Sequence, residues 1–167
     1  AILPGTASNT DLTNPQGFVF ADIDGNGSAD VLYAADGNLG IVKFSNTGGT
    51  WTKRGSLPNP AGRASAGLGV QLVGTDRVLF ICLGTATTPA TEIYKFVDNS
   101  AATANIASSG TDIITACGSP IITSPSATAV LFKGVSFAPV NVPTPTVTHT
   151  FSTPSATLPQ GSPNKAL

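Results

Sequence analysis

Residues 17–57 read GFVFADIDGNGSADVLYAADGNLGIVKFSNTGGTWTKRGSL, four short apolar runs separated by glycine-, asparagine- and aspartate-rich breaks. The bulky residues in these runs are β-branched, aromatic or Leu: Val31, Leu32 and Tyr33, then Ile41, Val42 and Phe44. Such side chains fit a pleated, half-buried surface, so each run is a strand. The Asp36-Gly37-Asn38 and Asn46-Thr47-Gly48-Gly49 breaks suit tight hairpin connections. The pattern then recurs. GLGVQLVG opens at Gly67, followed by RVLFICLG, TEIYKFVD and TANIASSG, and GVSFAPV begins it a third time at Gly134. The opening glycines lie 50 and then 67 residues apart.

A period near 50 residues with four strands per copy is that of a β-propeller blade, and a blade needs neighbours to cover its faces. The expected fold is therefore all-β: two antiparallel four-stranded propeller-like blades, the first strand of a third, and an extended C-terminal tail. Residues 1–16 form a turn-rich lead-in, 17–66 the first blade and 67–132 the second. Residues 133–140 supply the first strand of a further blade, and 141–167 form the tail. The second copy is longer because of an insertion at 111–129, where Ile-Ile-Thr occurs twice about Gly118-Ser119-Pro120, suggesting an extra hairpin. The helix-prone stretch is 101–107. The tail, rich in Pro, Ser and Thr, favours extended or polyproline II conformations over a packed core. In a secreted protein it reads as an O-glycosylated stalk, with Thr144, Thr146, Thr148, Thr150, Ser152, Thr153, Ser155 and Thr157 as acceptors.

Only 10% of the 167 residues are charged, against about 25% in a typical soluble domain. With 41% hydrophobic residues the chain can still build a core, and the neutral, hydroxyl-rich remainder suits an extracellular or wall-associated surface. A net charge of −1 provides no field for nucleic acid or anionic membrane. No apolar run approaches the ~20 residues of a membrane span. One histidine, His149, and one glutamate, Glu92, leave no set for acid–base or nucleophilic catalysis, so the expected protein is not an enzyme.

The sharpest motif is Asp22-Ile23-Asp24-Gly25-Asn26-Gly27-Ser28-Ala29-Asp30. Oxygen ligands recur at positions 1, 3, 5 and 9, with glycine at 6, the arrangement a hard cation such as Ca²⁺ requires. Asp22, Asp24, Asn26 and Asp30 would bind through side chains and Ser28 through its carbonyl. The twelfth position is Tyr33, not the bidentate Glu of a full EF-hand, and the pattern resembles the calcium loops of integrin-type propellers. A metal-free Asp/Asn/Gly turn is the alternative. Asn26-Gly27-Ser28 is also an N-glycosylation sequon, and a glycan on Asn26 would remove that ligand. Cys82 and Cys117 are the two cysteines. In an oxidising compartment they are expected to pair, tying the insertion to a strand of the second copy. Tyr33, Phe44 and Trp51 could form an aromatic platform for a sugar.

Three phrases, PQGFVFADIDGNGSADVLYAAD (15–36), GIVKFSNTGGTWTKRGSL (40–57) and LFKGVSFAPV (131–140), occur in this order. Together they resemble a group of secreted β-propeller-like repeat proteins of bacteria and some algae. The resemblance implies an extracellular propeller with an anchoring or linker tail and carries no catalytic residue. The reading of composition, repeats and resemblance is a structural protein of a cell-surface or filamentous assembly. It would associate with its own copies or with other parts of a longer parent chain, and with glycans. The alternative is an adhesive or carbohydrate-binding module organised by Ca²⁺.

Overall fold

The computed structural model describes residues 10–85, 90–124, 132 and 134–136. The predicted first strand of a third copy falls partly outside this set, and the tail with its eight hydroxyl acceptors and His149 lies wholly outside it. The first sheet is a meander of β1 (Pro15–Ala21), β2 (Val31–Asp36), β3 (Gly40–Thr47) and β4 (Thr50–Leu57). The second has the same order, with β5 (Arg63–Val73), β6 (Asp76–Thr85), β7 (Glu92–Asp98) and β8 (Ile122–Thr123). All six strand pairs are antiparallel.

One core fills the space between the sheets. Val31, Tyr33, Ala35, Ile41 and Leu57 from the first meet Leu68, Leu79, Ile81, Leu83, Tyr94 and Phe96 from the second. Aligning the repeated runs (VLY with VLF, IVKF with IYKF) reveals how the sheets are stacked. Val42 and Phe44 face away from the second sheet, but their counterparts Tyr94 and Phe96 face the first. Ile41 lies between the sheets, whereas its counterpart Ile93 lies on the outer face. The copies are thus stacked in the same sense, not turned face to face as in a two-sheet sandwich. The inner strands touch: a β-carbon on Gly17 would stand 3.7 Å from the Cα of Gly67. Of the third run, residues 134–136 form no strand, but Val135 packs on Gly69 so closely that a β-carbon there would be 3.1 Å from the Val135 Cβ.

Three sequence expectations are corrected. Residues 103–110 form turns and irregular backbone, not a strand, and the fourth strand of the second sheet is Ile122–Thr123. The excursion from β7 to β8 instead crosses to the first sheet. There the amides of Ile106, Gly110 and Ile113 donate to the carbonyls of Arg54, Ser56 and Pro58 at 2.8, 2.9 and 3.1 Å. These alternate acceptors on and just beyond β4 would otherwise be an open strand edge, a liability for aggregation. Ile106 drops into the inter-sheet core and anchors the segment. Among its described residues, 111–124, the insertion forms no extra hairpin. Its first Ile-Ile-Thr begins the one-turn helix α1 (Ile113–Cys117), capped by the Asp112 side chain on the Thr115 amide at 3.0 Å and closed by Gly118. Its second pairs with β7. The helix-prone stretch at 101–107 is not helical.

Candidate functional site

The loop between β1 and β2 brings the carboxylates of Asp22, Asp24 and Asp30 together, with one oxygen of each within 4.8 Å of the others. Local chemistry builds it. Asp22 accepts the Gly25 and Gly27 amides at 2.8 and 2.7 Å, and both glycines have positive φ, which a side chain would oppose. Asp30 accepts the Ile23 amide at 2.7 Å, while its own amide donates to Ala21 at 2.9 Å and closes the loop. The Gly27 amide, foremost among several donors, holds the Asp22 carboxyl below its usual range. Asn26 is turned inward: its Nδ2 donates to Asp24 and its Oδ1 accepts the Ser28 amide, both at 2.8 Å. The three carboxylates among the five expected ligands therefore converge, while the Asn26 amide is hydrogen-bonded within the loop. The oxygen donor set suits a hard divalent cation. No lysine or arginine pairs with these carboxylates among the described residues.

A second cluster lies between the sheets and escaped the sequence reading. Asp98 of β7 receives the Lys43 ammonium of β3 at 3.0 Å and the Arg77 guanidinium of β6 at 3.3 Å. The Tyr33 hydroxyl, the Ser100 hydroxyl and the Ala107 amide also donate to it. Burial alone would raise the Asp98 pKa, but the donors led by Ser100 and Tyr33 outweigh it and hold the group at about 2. Burial also keeps Lys43 below the ordinary lysine range and drives Tyr33 far upward, so the phenol stays protonated. No buried side-chain nitrogen or oxygen lacks a partner among the described residues. The signal in the sequence was a lysine inside the apolar run Ile41-Val42-Lys43-Phe44, whose partners lie far along the chain.

The aromatic platform does not form. Tyr33 points into the inter-sheet core and Phe44 to the opposite face. Trp51 instead meets Phe20 at 5.7 Å between ring centroids, although these sit on the two edge strands of the first sheet, so the sheet curls over its outer face. The cations near this sheet are each engaged separately: Lys53 faces Asp11 at 3.9 Å, Arg54 donates to Ser45, and Arg63 pairs with Glu92.

Cys82 and Cys117 are unbonded, contrary to the expected bridge. Alternation along β6 explains this. Ile81 and Leu83 face the inter-sheet core, on which Cys117 packs, whereas Cys82 belongs to the cluster on the other face with Ala90 and Ile93. Burial pushes the thiols up to about 11 for Cys82 and, with the Asp112 carboxylate adding to it, about 12 for Cys117. Both should therefore resist alkylation in the native protein at neutral pH and react fully once unfolded without reductant. A need for prior reduction would show that the two are bonded.

Comparison with protein-family models, with curated proteins and with solved structures finds no match for this chain. The reading of its function therefore rests on its own geometry.

Proposed function

We propose that this chain is a non-enzymatic structural protein of an extracellular or cell-surface assembly, a subunit or fragment of a filament built from propeller-like blades. The observation that carries this reading is the same-sense stacking of the two sheets, which Val135 on Gly69 extends towards a third copy. Stacked repeats of this kind bury their faces only against further repeats. The commitment of Tyr33, Lys43, Arg77 and Asp98 to one another supports a structural role for the buried charges. The low charge and hydroxyl-rich composition support an extracellular setting. Antibody against residues 10–136 should label intact, unpermeabilised source cells or material shed from them, and native material imaged by electron microscopy should form elongated particles. Labelling only after permeabilisation, with compact single particles, would overturn the reading.

The convergence of Asp22, Asp24 and Asp30 favours a second reading, a Ca²⁺-organised adhesive or carbohydrate-binding module. Saturation at 100-fold over Kd would stabilise the fold by about 2.7 kcal/mol, or roughly 5–10 °C in Tm. Chelation should reverse the shift and Asp24→Ala should abolish it. An unchanged Tm with and without Ca²⁺ would identify the loop as a metal-free turn.

A further inference from the structure

We propose that the outer face of the first sheet, marked by Phe18 and Phe20, is the docking surface for a second copy of this chain, which presents the outer face of its second sheet. The inference deepens the structural reading above and rests on it. Phe18 and Phe20 pair with Ala34 and Leu32 across β1 and β2, on the face turned away from the second sheet. They are 64% and 47% exposed and border an apolar pocket of about 220 Å³ that also reaches Leu12 and Pro15. Their counterparts in the second copy, Leu68 and Val70, pack into the core against the first sheet, Leu68 being only 6% exposed. On β1 the same position is therefore covered by a sheet in one copy and bare in the other; the neighbouring Leu32, Ala34, Val42 and Phe44 are already buried in the cluster with Trp51, so the docking surface is the β1 rim of this face.

The opposite end of the stack is complementary. Val97 and Ile122 are exposed and share the outer face of the second sheet with Phe80 and Ile93. Part of that face is already covered by Phe132 and Val135, so the incoming copy would meet this segment and the outer strands β7 and β8. Charge follows the same rule. Lys43 points from the first sheet to Asp98 of the second, beside Arg77. Its counterpart Lys95 lies on the outer face, exposed and with no ion pair among the described residues. In the first copy, Asp30 stands where the second has Arg77, and Asn46 where it has Asp98. A docked copy would therefore offer Lys95 the Asp30 carboxylate and the Asn46 amide. The two surfaces differ, so the contact is head to tail and does not close on itself. A stable contact of this kind buries at least ~1,000 Å².

Two experiments test this. Phe18→Asp, on the native cysteines, should raise the concentration needed for half-assembly about tenfold or more while leaving far-UV circular dichroism and cooperative melting unchanged. In a Cys82→Ala, Cys117→Ala background, Phe18→Cys chains mixed with Val97→Cys chains should form a disulfide-linked heterodimer, and neither alone should dimerise. If the cysteine-free background does not fold, the Phe18→Asp measurement decides. Dimers of Phe18→Cys alone would mean a two-fold contact and would overturn the head-to-tail arrangement. Assembly unaffected by Phe18→Asp would overturn this surface yet leave the structural reading standing. A wild-type chain that stays monomeric at all concentrations would overturn both.

Discussion

Asp98→Ala is expected to destabilise the fold by about 3–5 kcal/mol, because it leaves Lys43 and Arg77 buried between the sheets without their counter-charge. Chemical denaturation of the two proteins at neutral pH measures it. The pH dependence has a definite sign. The folded pKa of Asp98, about 2, lies below the ordinary carboxylate value of 3.8. Its contribution, about 2 kcal/mol, is therefore fully present above pH ~4 and is lost as pH falls towards 2. Asp22, Asp36 and Asp112 are also held low, so acid sensitivity is shared. The difference between wild type and Asp98→Asn isolates the buried group: the variant should be less stable at neutral pH and lose less on acidification. Parallel acid profiles would mean that Asp98 does not hold the sheets together.

Gly40→Ala should cost about 3 kcal/mol or more, the sum of left-handed strain and overpacking. Gly40 has φ +87, and a β-carbon there would overlap the Leu57 carbonyl oxygen and stand 2.8 Å from the backbone of both Pro58 and Asn59. These are main-chain atoms at the end of β4, where Asn59 Nδ2 also ties down the Asp36 and Gly37 carbonyls at 3.1 and 3.0 Å. Gly48→Ala is the control. It has φ +58 but open space around it, so it should lose only the strain of about 1–2 kcal/mol. Equal losses in the two variants, read from urea midpoints, would remove the contact from the explanation.

Much of the fold was legible because its signals are local. The runs about Val31, Ile41, Val78 and Ile93 became strands, and the Asp36-Gly37-Asn38 break became a turn in which the Asp36 carboxylate accepts the Asn38 and Leu39 amides at 2.9 Å. The Asp22–Asp30 loop was legible for the same reason, since the hydrogen bonds to its carboxylates span at most seven residues. What failed depends on partners distant in sequence. Ile106 sits in a polar stretch that passes for a weak strand, and only the open edge of β4 explains its place. Residues 33, 43, 77 and 98 converge through the stacking of two sheets, which no local pattern encodes. The cysteine pairing failed differently. Every residue of β2 and most of β6 is buried, so polarity does not mark the faces, yet counting alternate residues from Ile81 places Cys82 on the far side.

The proposed assembly requires the outer faces of the two stacked sheets to meet further copies of the chain. In sedimentation velocity over a wide concentration range, the weight-average mass should then rise continuously with concentration, without a plateau at a fixed stoichiometry, as an open head-to-tail array requires. A single species of 16.7 kDa at every concentration would contradict it.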